Sequence, residues 1–174
     1  MDWKNRSAYI FIKSKKGKAN EIWKKFQNWD NIIGTWILPG DWDVIAWIDA
    51  DNWETVHQCV ATIKNWDEVD YTSSHMVYKE YKNDNWWWEK PAGTWVLFKE
   101  NYLDETPNKT KKWNWMTSAT SIPGEWDYMG WIEGENWEDV WKHLEEIKTE
   151  NWQISAQIPI KSWWNENWKE KWWY

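Results

Sequence analysis

The side chains best suited to catalysis or metal binding in this 174-residue sequence are three histidines, His57, His75 and His143, and one cysteine, Cys59. An imidazole can carry a proton or ligate a metal near neutral pH, and a thiolate can attack or ligate. Spacing decides whether such groups act together. None of these residues forms a CxxC pair or another recognised metal-ligand spacing, so no metal site is expected. Cys59 lies between the apolar positions Val56, Val60 and Ile63, with no partner base in sequence. It reads as a small buried side chain rather than a nucleophile. A haem held by one histidine is the sharper reading of the imidazoles, and ordinary core or surface placement is the plainer one. The chain has no glycine-rich phosphate loop and no GxSxG elbow. The expectation is no catalytic residue, no cofactor and no enzyme activity.

Composition sets outer bounds. Lys and Arg number 21 against 28 Asp and Glu, a net charge of −7 that divides as −2 over residues 1–84 and −5 over 85–174. Neither half offers the basic surface that nucleic-acid phosphates require. No apolar run reaches the roughly 20 residues that span a bilayer, and MDWKNRSAYIFIK has none of the parts of a signal peptide, so a cytoplasmic location without membrane attachment is the default. One cysteine excludes an internal disulfide framework. The abnormal feature is 24 tryptophans beside four leucines. Indole occupies places where aliphatic side chains are ordinary, as at Trp23 and Trp53, so tryptophan overlays an otherwise readable pattern. The alternative is tryptophan enrichment by design or selection, for ligand stacking or for sticky contacts at Trp86 to Trp88 and in the C-terminal cluster.

The elements that would position any site come from an internal repeat. Leu38 to Val56 reads LPGDWDVIAWIDADNWETV and Ile122 to Val140 reads IPGEWDYMGWIEGENWEDV, ten identities in nineteen positions at an offset of 84. Asp41, Asp49 and Asp51 are replaced by Glu in the second copy. Trp53, Val56, Val60 and Ile63 then match Trp137, Val140, Leu144 and Ile147, the gaps of three, four and three residues that line one helix face. Asn52 and Asn136 precede these stripes as N-caps. His57 and His143 fall on the two equivalent helices at different positions, aligned with Trp141 and Cys59. Upstream, Pro39-Gly40 and Pro123-Gly124 mark hairpins, in which proline presets φ and glycine permits a positive value. The strand after the first hairpin carries Val44, Ala46 and Ile48 on one face with Ile45 and Trp47 on the other, and Ala8 to Lys13 is also apolar on both faces. Both faces of that sheet need cover. Gly17 ends the first strand, and Ile22, Trp23, Phe26 and Trp29 form another helical stripe. Val69 to Tyr81 closes the first half as a β segment. The second half repeats the order with a strand at Thr94 to Lys99, a helix opened by Thr106-Pro107, the hairpin, a helix from Asn136 and a strand near Gln153 to Ser162.

A strand, a helix, a hairpin ending in Gly40-Asp41-Trp42-Asp43, then a strand and a helix resembles the effector-binding domain of Lrp/AsnC-type regulators and the related stand-alone GYD-type domains. Gly124-Glu125-Trp126-Asp127 repeats the signature, so the resemblance covers about 75 residues in each half. It implies α+β architecture: two ferredoxin-like βαββαβ units whose antiparallel sheets pack face to face as a dimeric α/β barrel. Family regulators carry an N-terminal helix-turn-helix, for which the residues before the first strand leave no room, so direct DNA binding is not expected. Effectors of those regulators sit near the hairpin turns. Carried over, the ligand-binding candidates are Gly40, Asp41, Asp43, Gly124, Glu125 and Asp127: the glycines admit a ligand carboxylate to backbone N–H groups, and the acids can pair with an ammonium group. The plainer reading is that Pro-Gly-Asp builds a tight turn and Asp43 caps it.

The expected organisation is a first unit over 1–84, a linker over 85–92, a second unit over 93–162 and a Trp-rich tail over 163–174. The expected function is non-enzymatic binding of a small metabolite such as an amino acid, in a homo-oligomer joined through its sheet faces. A monooxygenase-like or haem-binding barrel enzyme is one rival, and a Trp-driven structural or designed assembly is another.

Overall fold

A computed structural model of the chain describes residues 6–82, 90–99, 112–150 and 152–167. The chain divides into two compact units, Met1–Met76 with Pro159–Tyr174, and Val77–Ile158. Each is built around one five-stranded antiparallel sheet. No helix among the described residues is long and apolar enough to cross a membrane.

The first unit runs β1 (Arg6–Ser14), α1 (Ala19–Phe26), β2 (Ile32–Ile37), β3 (Val44–Ala50), α2 (Trp53–Lys64) and β4 (Val69–Met76). Every residue of β2 and β3 is buried, as two-sided apolar strands demand. Ala8, Ile10, Ile12, Val44, Ala46 and Ile48 face the helices and meet Ile22 and Phe26 of α1 and Val56, Cys59 and Ile63 of α2. Asn52 caps α2 by accepting from the Thr55 N–H at 2.8 Å, a contact worth about 1 kcal/mol in such helices. The expected stripe of α2 packs on this core at Val56, Val60 and Ile63 but not at Trp53. Cys59 lies in the core, as its place between Val56, Val60 and Ile63 predicts, while Val60 is half-buried against that core and Trp53 is exposed.

The second unit contains β5 (Lys79–Lys82), β6 (Ala92–Lys99), β7 (Met116–Ser121), β8 (Tyr128–Gly134), α3 (Trp137–Lys148) and β9 (Gln153–Gln157). Val96, Phe98, Tyr128 and Ile132 pack on Val140, Leu144 and Ile147 of α3. Asn136 repeats the cap by accepting from Asp139 N–H at 3.0 Å. The helix expected from Thr106-Pro107, Trp86 to Trp88 and most of the 85–92 segment lie outside the described residues.

The α+β class and the ferredoxin-like units agree with the sequence, but neither sheet closes into a barrel: with a last strand β10 (Lys161–Trp164), the strand orders are β10-β2-β3-β1-β4 and β5-β7-β8-β6-β9, both open. The fifth strands do not follow the expected halves. The segment read as one strand over Val69 to Tyr81 splits at Val77-Tyr78, and β5 joins β7 of the second unit in register from Lys79↔Ser121 to Lys82↔Ser118. The segment after Gln153 splits likewise, and β10 (Lys161–Trp164) joins β2 of the first unit from Lys161↔Ile37 to Trp164↔Gly34. Trp163 and Trp164, the first residues of the expected Trp-rich tail, are therefore sheet residues.

Candidate functional site

The hairpin after β2 brings the sequence candidates to the end of the first sheet. The turn is closed by Leu38 N–H donating to Asp43 O at 2.9 Å, and Asp43 N–H donates to Ile12 O at 3.0 Å, which ties the turn to β1. Gly40 and Asp41 are exposed, and Trp42 and Asp43 are half-buried. Positive φ values occur at Gly17, 78°, and at Gly124, 157°, so the first turn forms without the freedom that Gly40 offers.

Asp43 is occupied by structure. Its Oδ2 accepts from Ser14 N–H at 2.8 Å and from Ser14 Oγ at 3.0 Å, and its Oδ1 accepts from Lys13 Nζ at 3.3 Å. These bonds hold the end of β1 where a bulge shifts its register against β4. Lys13 Nζ also donates to the Asp41 carbonyl at 3.0 Å. Beside this ammonium group stands an aromatic wall: Trp42 packs between Phe11, at 5.8 Å, and Tyr71, at 5.5 Å, with Tyr71 the β4 partner of Lys13. The end of the first sheet thus gathers an ammonium, the exposed Asp41, and two aromatic faces. Lys13, Ser14 and Tyr71 were not sequence candidates, since nothing in a single strand marks which residues a hairpin will meet.

The second unit repeats this end in part. Ile122 N–H donates to Asp127 O at 2.9 Å and Asp127 N–H to Phe98 O at 3.2 Å. Gly124 and Glu125 are exposed. Lys99 lies over Trp126 at 5.3 Å, and Gln153 stands where the first unit has Tyr71.

Polar groups buried on the sheet faces away from the helices are a second concentration of chemistry. Asp49 on β3 is 8% exposed and accepts from Ser7 Oγ at 2.6 Å. Glu133, its counterpart on β8, is 4% exposed and accepts from Trp131 Nε1–H at 2.7 Å. A carboxylate is retained at such depth only with partners. Tyr9 stacks on Trp47 at 5.3 Å, and Trp95 meets Trp131 edge-on at 5.0 Å, so each carboxylate neighbours a pair of large rings. The histidines do not converge. His75 is buried on β4, 3.0 Å from Ser73 Oγ and edge-on to Phe11; His143 stacks flat on Trp115 at 4.4 Å; His57 is exposed. Burial holds His143 below the usual imidazole range against the opposing pull of Glu146 and Asp139. Burial pushes the Cys59 thiol up, away from the reactive thiolate. No group of three or more His, Cys, Asp or Glu suited to a metal ion occurs among the described residues.

Residues 7–87 match the family of the Lrp/AsnC ligand binding domain. No curated protein matches the sequence. Among solved structures, FFRP-DM1 shares 21% identity over 41% of this chain and 96% of its own, with a TM-score of 0.40. The siroheme decarboxylase NirDL aligns with 91% of this chain and 72% of its own at 8% identity and a TM-score of 0.68. A chlorite dismutase variant from Candidatus Nitrospira defluvii in complex with cyanide covers 91% and 92% at 8% identity and a TM-score of 0.53. These last two likenesses are of fold, and they overturn the expectation that the chain is not an enzyme: the architecture over nine-tenths of its length is one that enzymes use.

Proposed function

We propose, taking residues 7–87 as an Lrp/AsnC ligand binding domain, that the chain binds a small metabolite with an ammonium and a carboxylate group, such as an amino acid, at the hairpin end of its first unit. One observation carries this: Lys13 Nζ is held between the Asp41 carbonyl and the Asp43 carboxylate, beside the Trp42 and Tyr71 rings. A ligand carboxylate pairs with Lys13, its ammonium group pairs with the exposed Asp41 side chain, and an apolar side chain lies on the rings. Asp43 keeps the ammonium in place, so its part in binding is indirect. Gly124, Glu125 and Asp127 form a second, weaker site, because Gln153 replaces the aromatic ring there. The bound molecule is an effector or a substrate of an assembly of several copies of this chain.

The fold likeness to a siroheme decarboxylase favours a second reading, in which the molecule taken up is a tetrapyrrole substrate. The two separate cleanly. Purified protein is heated with each common amino acid, and molecules it retains are identified by mass spectrometry. A rise in melting temperature with an amino acid, lost in Asp41→Ala, supports the first reading. Absence of any such rise, together with visible absorption and a retained tetrapyrrole, supports the second and removes the first.

A further inference from the structure

Resting on the reading that an amino acid binds at the hairpin end of the first unit, we infer that this site selects an uncharged aromatic side chain, and that Tyr71 sets the selectivity. Tyr71 lies on β4, an edge strand, and is 54% exposed. It stands opposite Lys13 in the β1–β4 ladder, so the two side chains rise from neighbouring positions on one face of the sheet. A ligand whose carboxylate sits on Lys13 therefore extends its side chain toward the phenol ring.

The ring is firmly backed. Tyr71 meets Trp42 at 5.5 Å and 66°, Trp42 meets Phe11 at 5.8 Å and 48°, and Phe11 meets His75 at 5.1 Å and 86°. Phe11 and His75 are buried, and His75 Nε2 lies 3.0 Å from Ser73 Oγ. The series thus runs from an anchored inner end to an outer ring with more than half its surface in water. A planar ligand group adds a further member, offset-stacked or edge-on, and gains a ring–ring attraction that an aliphatic side chain of similar area lacks. Charge disfavours the other long side chains. Lys13 opposes a cationic one, and Asp41 and Asp43 oppose an acidic one.

The second unit supplies the contrast. Gln153, a side chain without a ring, takes the place of Tyr71 opposite Lys99, and Lys99 lies over the Trp126 ring at 5.3 Å. In the first unit the corresponding Lys13 turns to the Asp41 carbonyl and the Asp43 carboxylate instead. The second unit thus covers its indole with its own cation, whereas the first directs its cation to the turn and sets a ring beside it. The aromatic selectivity belongs to the first unit.

Isothermal titration of the full chain with phenylalanine, leucine, lysine and glutamate tests this. Phenylalanine is expected to bind about three- to tenfold more tightly than leucine, and lysine and glutamate more weakly than either. In Tyr71→Gln, which copies the second unit, the ratio of phenylalanine to leucine affinity falls to about one, and Tyr71→Phe keeps the parent ratio. General damage to the site would weaken both ligands together and leave the ratio alone. Leucine binding as tightly as phenylalanine to the parent chain overturns the inference while the amino acid reading stands. A preference that survives in Tyr71→Gln, or is lost in Tyr71→Phe, overturns the part assigned to the Tyr71 ring. Binding of none of the common amino acids removes the inference together with the reading beneath it.

Discussion

Asp41 and Asp43 stand two residues apart in one turn, and replacing each by alanine separates a structural carboxylate from a binding one. Asp43→Ala removes the acceptor for the Ser14 N–H and Oγ–H and for Lys13. The ion pair is a quarter to a third exposed, so it contributes less than about 1 kcal/mol. The two bonds from Ser14 add about 1 kcal/mol or slightly more between them. The total of about 2 kcal/mol corresponds to a fall of about 4–8 °C in melting temperature for a chain of this length. Asp43→Asn, which keeps an acceptor for Ser14, recovers about half of the loss. Asp41→Ala removes a carboxylate whose residue contributes only its backbone carbonyl to the Lys13 contact, so stability stays within about 0.5 kcal/mol. Differential scanning calorimetry with and without the stabilising amino acid completes the comparison: Asp41→Ala melts like the parent but loses the ligand-induced rise. A parent-like melting temperature for Asp43→Ala would refute the structural assignment. An undiminished ligand response in Asp41→Ala would refute the binding one.

Three further outcomes follow from the same geometry. Ile63→Asp, at a fully buried place, unfolds the first unit by circular dichroism, whereas Val60→Asp at a half-buried place leaves it folded. Gly93→Ala puts a Cβ 2.4 Å from the Trp131 ring and displaces the indole from Glu133, so the urea midpoint falls by the equivalent of about 1–3 kcal/mol. Burial depresses the His143 pKa in the folded chain, so the unfolded chain takes up its proton first as the pH falls below about 6.5. Stability therefore drops from that pH down to the folded pKa and is level beyond it, and melting curves of His143→Gln lack this component.

Much of the fold was written in local pattern. The Pro-Gly pairs, Asn52 and Asn136, and the apolar strand around Trp47 each depend on neighbours a few residues away, and the repeat gave each pattern twice. The placement of the fifth strands was not legible, because no glycine or proline marks the break at Val77-Tyr78, and the four residues of β10 are too few to show a period. The helix stripe was legible at Val56, Val60 and Ile63, and Cys59 is buried as its place between them predicts, but Trp53 is exposed at the first turn. Lys13 and Tyr71 meet the hairpin through pairing across three strands, which no spacing reveals. Asp49 and Glu133 did leave a signal: an acid at the same place in two otherwise apolar strands, VIAWIDA and YMGWIEG.

Backbone amide shifts recorded during titration of the isotope-labelled chain with the amino acid that most raises its melting temperature test the central claim most directly. Saturable shifts should gather at Lys13, Ser14, Gly40 to Asp43 and Tyr71, and vanish in Asp41→Ala. Shifts confined to other parts of the chain, or none at saturating concentration, would contradict a binding site at the end of the first sheet.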